Sequence, residues 1–359
     1  MRETPVQSIR WSQVFSLLGL NAAVVISWIA YHHYQPRILE LFSVQHLSRF
    51  LVIAQAVILV GIPPVAGLIG DYFIKKNGNR FVVWTVGISV TAMVFMLVAF
   101  TVGTQSLQLT SILPVMIVIW LISMNVFHSP ANSMIELFAP ARQLPVAMAL
   151  MVLTTELLNA SEPLLIELVD AVGPVSTFTA GGLLLIVTGY FFRSTTRHSE
   201  FSREEDMIKV EESQFGHVLA AGLTLGVLTM FINNFVPAWY RQTDNPLFSD
   251  SYLISGILLV SAVAAWPLSR LVDRYGIGRS LVYGAVGCTL GLAGIYFIGG
   301  VIPFVCFALV TGLSYSLASV AAFPYALQHL CRNHTTLGAG MFFGSIQLAE
   351  EIVNVMGIW

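Results

Sequence analysis

The sequence predicts an all-α integral membrane protein, and three observations lead to that class. Of 359 residues, 56% are hydrophobic and 10% are charged, against about 25% charged in a soluble domain; the mean hydropathy is +0.78. Apolar runs long enough to cross a bilayer as helices follow one another along the whole chain, and only a helix or a closed barrel satisfies its backbone in hydrocarbon. Lysine and arginine collect in alternate connecting segments.

Eleven such runs can be taken in order. The first, 12 to 32, follows MRETPVQSIR, which has both signs of charge and no small-residue cleavage pattern, so it is expected to be retained as a helix. Asn21, Trp28 and His32 fall on one of its faces. The second, 50 to 70, carries Gln55 and the pair Pro63-Pro64, which frees backbone groups and should bend it. The third covers 81 to 103; the fourth, 109 to 128, holds Asn125 and His128. The fifth, 144 to 168, bears Glu156, Asn159 and Glu162 in steps of three residues, and the sixth is 173 to 193. The seventh, 215 to 238, includes Asn233 and Asn234; the eighth is 251 to 271, the ninth 279 to 298, and the tenth, 301 to 325, contains Tyr315. In the eleventh, 336 to 358, Gln347, Glu350, Glu351 and Asn354 share one helix face.

With the N-terminus in the cytoplasm, 14 of the 17 basic residues lie inside and only Arg37, Arg49 and Arg241 outside, the asymmetry expected of a plasma or bacterial inner membrane protein. The longest hydrophilic segment, 193 to 214, reads as a cytoplasmic linker between a six-span unit (1 to 192) and a five-span unit (215 to 359). Because the second unit is one span short of the first, the chain is expected to be a truncated form of a twelve-span protein. The net charge of -2 gives no sign of a nucleic-acid partner, and Cys288, Cys306 and Cys331 lack metal-ligand spacing. With no nucleotide loop either, the expectation is a monomer in the bilayer, not an enzyme, with no cofactor and no metal.

The polar stretch GLIGDYFIKKNGNR at 67 to 80 has a counterpart in PLSRLVDRYGIGRSL at 267 to 281, each between the second and third spans of its half. Each sets an aspartate at a helix end, a glycine turn, then an arginine opening the next helix. Both resemble the loop signature G-x-L-A-D-R-x-G-R-R of the major facilitator superfamily, through Gly67, Ile69, Gly70, Asp71, Gly78 and Arg80 in the first copy and Leu271, Asp273, Arg274 and Gly276 in the second, where Arg279 opens the next helix. That resemblance implies two pseudo-symmetric six-helix bundles rocking about a midplane site, with the two aspartates at a cytoplasmic gate, accepting hydrogen bonds from a neighbouring helix N-terminus.

A narrower resemblance, to the sucrose/proton and glycoside-pentoside-hexuronide:cation symporters, is carried by the insertion between Asp71 and Gly78, by Asn125, Pro130 and Pro140, and by Pro324-Tyr325-Ala326-Leu327. It implies uptake of a sugar or glycoside with a proton. Departures fall on the coupling residues: the arginine expected after the fourth-span proline is Asn132, the acid expected further on is Leu137 with Glu136 one place early, and Tyr72 follows Asp71 where arginine is expected. Other solute classes, and a non-transporting protein on a transporter scaffold, stay open.

An ionisable residue at mid-membrane costs about 2.5–3.5 kcal/mol on insertion scales and therefore marks a cavity or a partner. Burial disfavours the charged carboxyl, so acids there can exchange protons. Glu156, Glu350, Glu351 and Glu136 are the proton-coupling candidates. Asn21, Trp28, Gln55, Asn125, Asn233, Tyr315, Gln347 and Asn354 are candidates for binding a small polar solute, amides to hydroxyls and aromatic faces to C–H groups.

Overall fold

The computed structural model describes residues 8–41, 47–78, 81–104, 112–197, 210–241, 250–298 and 301–356. Helices α1 (Trp11–Leu41), α2 (Ser48–Asn77), α3 (Phe81–Thr104) and α4 (Leu113–Asn132) are followed by a short turn of helix, Ile135–Phe138. Next come α5 (Leu144–Ala160), α6 (Glu162–Val172) and α7 (Pro174–Thr196). The second half comprises α8 (Phe215–Met230), which continues through a π-turn at Phe231–Phe235 into Val236–Arg241, then α9 (Asp250–Tyr275), α10 (Ile277–Phe297), α11 (Val301–Gln328) and α12 (Thr335–Met356). No strand occurs among the described residues.

Ten of the described helices are long and apolar enough to cross a membrane. The eleventh apolar run does form a helix, α12, but is not among the ten, because its glycines and the polar series Gln347, Glu350 and Glu351 lower its hydropathy. The fifth run is also not one unbroken helix. It divides at Ser161, since Pro163, near the start of α6, has no N–H to continue the hydrogen-bond ladder. Conversely, Pro63 and Pro64 do not end α2, which runs on to Asn77. Asp71 therefore lies within the helix rather than at its end, and Asp273 likewise precedes the last residue of α9, Tyr275. The helix α7 reaches Thr196, four residues into the segment read as linker.

Within the first half α3 packs on α4 and α7, α1 on α5 and α7, and α2 on α4; within the second α11 packs on α8, α9 and α10, and α8 on α12. Apolar side chains such as Val57, Met93, Tyr190, Val263, Leu290 and Ile302 are exposed on the outer surface, as expected where the solvent is lipid. The halves meet mainly through α2 with α12 and α5 with α9, and also through α5 with α11, α4 with α12 and α6 with α9.

The α2–α12 seam is close because it is built on glycine and proline. A Cβ on Gly340 would collide with the Pro63 carbonyl, and one on Gly344 would press on the Val60 carbonyl, which Pro64 leaves without its helical N–H donor. On the α2 side a Cβ on Gly67 would run into the backbone of Thr336 and Leu337. Gly340→Ala is therefore expected to weaken the seam by about 1–3 kcal/mol through overpacking, lowering the thermal unfolding midpoint of the purified protein. The comparison is Gly61→Ala in the same helix pair, where an added Cβ meets nothing within 4 Å. Equal midpoints for the two variants would contradict the close approach.

Both signature loops end their helices at a glycine of positive φ, with ψ 0° at Gly78 and 149° at Gly276. Gly78 (φ 72°) and Gly276 (φ 87°) sit in the left-handed region, and each donates its N–H to a carbonyl four residues back, Ile74 and Val272, at 2.9 Å. A residue with a Cβ resists that backbone.

Candidate functional site

The first signature copy converges on the start of α12. The N–H groups of Thr336 and Leu337 donate to Asp71 Oδ1 and Oδ2 at 3.0 and 2.9 Å. The first N–H groups of any helix lack partners within it, and here a buried carboxylate from the other half of the molecule supplies them, in the favourable direction of the helix dipole. Gly67 and Gly70 give the space for that approach. From α4, Ser129 Oγ also donates to the Thr336 carbonyl, at 3.4 Å.

The second copy does not repeat this arrangement. Asp273 is exposed and has no hydrogen bond or ion pair among the described residues, Arg274 lies over the Tyr275 ring at 5.9 Å, and Gly276 and Arg279 are exposed. Equivalence in sequence therefore did not extend to equivalent bonding. Arg80 lies outside the described residues.

The acids at the heart of the chain are brought together from both halves. Glu351, 4% exposed, accepts a hydrogen bond from Gln55 Nε2 of α2 at 3.1 Å on Oε1. Gln55 in turn accepts from the Tyr31 hydroxyl of α1 at 3.5 Å. Tyr31 stacks on Trp120 of α4 at 4.4 Å between ring centres, and Trp28 meets the same Trp120 edge-on at 5.0 Å. Glu350, next along α12, interacts electrostatically with Glu351 and, across the halves, with buried Glu156 of α5. Glu156 faces Asn159 and the hydroxyl of Tyr315 on α11, which is 2.9 Å from Thr229 Oγ1 of α8. Tyr31, Trp120 and Thr229 were not singled out from the sequence, although Tyr31 follows Trp28 by three residues and so continues the face already marked.

Several of the predicted residues lie elsewhere. Glu136, in the short turn after α4, is separated from Glu156 by the loop and 13 residues of α5, a helix length of about 18 Å. Asn125 donates to the Leu121 carbonyl of its own helix at 2.8 Å, as polar residues in apolar helices commonly do. Asn233, in the π-turn, is exposed. Asn21 bonds Thr155 Oγ1 at 2.7 Å and ties α1 to α5. Gln347 is half-buried and Asn354 exposed, so the polar face of α12 narrows to its two glutamates. At the end of α1 opposite the Asp71 seam, His33 and Arg37 both bond Asp170 of α6. These two hydrogen bonds hold the Asp170 carboxyl below its usual range.

A family model matches most of the chain that carries this cross-half helix cap and these interior acids. The model described as Major Facilitator Superfamily matches residues 11–350. The chain belongs to the major facilitator superfamily. Among solved structures it is similar to the E. coli fucose:proton symporter FucP (12% identity, TM-score 0.63, covering 95% of this chain and 91% of that one). It is also similar to the human organic anion transporter MFSD10 (11%, TM-score 0.71, 98% and 94%). A third is a bacterial homologue of the iron transporter ferroportin in an outward-facing state (13%, TM-score 0.71, 96% and 91%). At such identities the likeness shows the fold. No curated protein matches the chain by sequence.

Proposed function

We infer that this superfamily member is a secondary active transporter, a monomer with its N-terminus in the cytoplasm, that moves a small polar solute by alternating access coupled to protons. The observation that carries the reading is the meeting of buried Glu156 and Glu351 with half-buried Glu350 between the two halves, inside the apolar part of the chain. Buried acids cost too much to be kept for packing alone, and a carboxyl at a moving interface can bind a proton in one state and release it in the other.

Asp71 holds the α2–α12 seam closed at the end that the basic residues assign to the cytoplasm. Gln55, which binds Glu351, lies 16 residues from Asp71 in α2, about 24 Å along the helix. Gate and acids are thus well separated, as alternating access requires. The sequence resemblance at Pro130 and at Pro324 to Leu327 supports a sugar or glycoside as solute. The side chains that converge favour another class, argued below.

The test needs no knowledge of the solute. Spin labels at Lys76 and Asn333, both exposed near the Asp71 seam, in a protein with Cys306 and Cys331 changed to serine, should report two separations. Their ratio should change between acidic and alkaline pH. A single separation that ignores pH would overturn the reading.

A further inference from the structure

We propose that the solute is an organic monocation with an apolar face, exchanged for a proton at Glu350 and Glu351; this rests on the transporter reading above. Charge comes first. Every Lys and Arg of the described helices lies within a turn or two of a helix end, so among the described residues no lysine or arginine joins the acids in the interior, where the histidines are His32 beside Tyr31 and His128 against Phe343 of α12. Carboxyls gathered in a low-dielectric interior are stable only when positive charge joins them. The available carriers are a proton and a cationic solute, and their competition for the same oxygens makes an exchanger.

The second observation is the surroundings of Glu351. Its Oε1 takes the single hydrogen bond from Gln55, while Oε2 is buried with no hydrogen-bond partner among the described residues. Asn354 stands near this carboxylate one turn further on, yet leaves Oε2 unbonded. An unpaired oxygen on a buried carboxylate is a strong acceptor waiting for a donor or a charge.

The third is aromatic. Gln55 links the carboxylate to Tyr31, which is stacked on Trp120. Aromatic rings near an acid attract cations through their quadrupole, by about 0.5–2 kcal/mol, and the closed packing of Tyr31 on Trp120 must open for an organic cation to reach them. A sugar would use several amides and hydroxyls at once. Of the amides expected for that purpose, Asn125 is spent on its own helix and Asn233 is exposed. An inorganic anion or carboxylate solute would meet only like charge.

One exchange step balances simply. The cation enters from the outside, Glu350 or Glu351 releases its proton to that side, and the neutral ion pair is carried through the rocking motion. A proton then binds from the other side as the cation leaves.

The experiment uses the full chain in proteoliposomes containing a pH-sensitive dye, with the lumen more acidic than the bath. Adding ethidium or 1-methyl-4-phenylpyridinium should alkalinise the lumen, whereas sucrose, p-aminohippurate and Mn²⁺ should not. In Glu351→Gln the concentration of cation giving half the maximal rate should rise by about tenfold or more, the loss of one buried charge-assisted contact. Proton movement evoked by sucrose, p-aminohippurate or Mn²⁺ and not by the organic cations overturns the cation assignment and leaves the transporter reading standing. Silence toward all five probes also overturns the assignment, and the pH response of the Lys76–Asn333 separation then decides separately whether the transporter reading falls with it.

Discussion

Asp71→Ala is expected to shift the conformational equilibrium of this protein away from the closed α2–α12 seam by about 30-fold or more, the equivalent of roughly 2 kcal/mol. The basis is the pair of hydrogen bonds from Thr336 and Leu337 to the two oxygens of one buried carboxylate. Hydrogen bonds to a charged group contribute about 1.5–3 kcal/mol each, and the helix dipole adds about 0.3–1 kcal/mol. Part of this returns when water reaches the freed N–H groups, so the net is smaller than the sum. Asp71→Asn keeps an oxygen but no charge and should fall between the wild type and the alanine variant. The ratio of the two Lys76–Asn333 separations measures the effect. A closed fraction unchanged in Asp71→Ala would show that the glycine packing at Gly67 and Gly340 holds the seam without the carboxylate.

Glu350→Gln should abolish the pH response of that same ratio, leaving it within about threefold across the range where the wild type changes by about 30-fold or more. Glutamine matches the shape of a protonated glutamate and cannot release the proton, so one protonation state is made permanent. Glu350 is chosen because it alone is linked to both Glu156 on α5 and Glu351 beside α2, across the two halves. Asp273→Asn is the comparison. This carboxylate belongs to the second signature copy but is exposed and unbonded among the described residues, and its replacement should leave the pH response intact. If Glu350→Gln titrates like the wild type, protons are not coupled through this acid. Loss of the response in Asp273→Asn instead would move the coupling site to the membrane surface.

Much of the architecture was legible because the constraint is simple. Hydrocarbon forces continuous helices, and apolar runs of bilayer length mark them. The duplicated Asp and Gly of the two loops marked the repeat, and the positive φ of Gly78 and Gly276 shows why glycine stands at both places. Where the reading differed, a local cause is identifiable. Asp71 looked like a helix end because charge begins there, yet Lys75 and Lys76 can extend a helix into the headgroups with their charged tips in water. The fifth run looked continuous because Pro163 sits among apolar residues, and composition does not register a missing N–H.

The candidate site was only partly legible. Glu156, Glu350, Glu351, Gln55 and Tyr315 were marked by being polar within apolar helices, which is a signal of cost and needs no knowledge of neighbours. Asn125 and Asn233 gave the same signal for other reasons. One satisfies itself on its own backbone, and the other lies exposed in a π-turn. A one-dimensional pattern cannot separate these cases, since the periodicity of a helix says which residues share a face and not what that face meets.

By itself, then, the sequence determined that the chain spans a membrane, that it is built on a repeat, and which few residues are too polar to be there without purpose. Only the tertiary structure decided that Asp71 caps α12 while Asp273 caps nothing, and that Glu351 is held by Gln55 while its second oxygen stays unpaired. The physical reason is that burial in lipid acts on each helix separately and is written in its composition. A hydrogen bond between residues 71 and 336, by contrast, depends on how the two halves are rotated against each other.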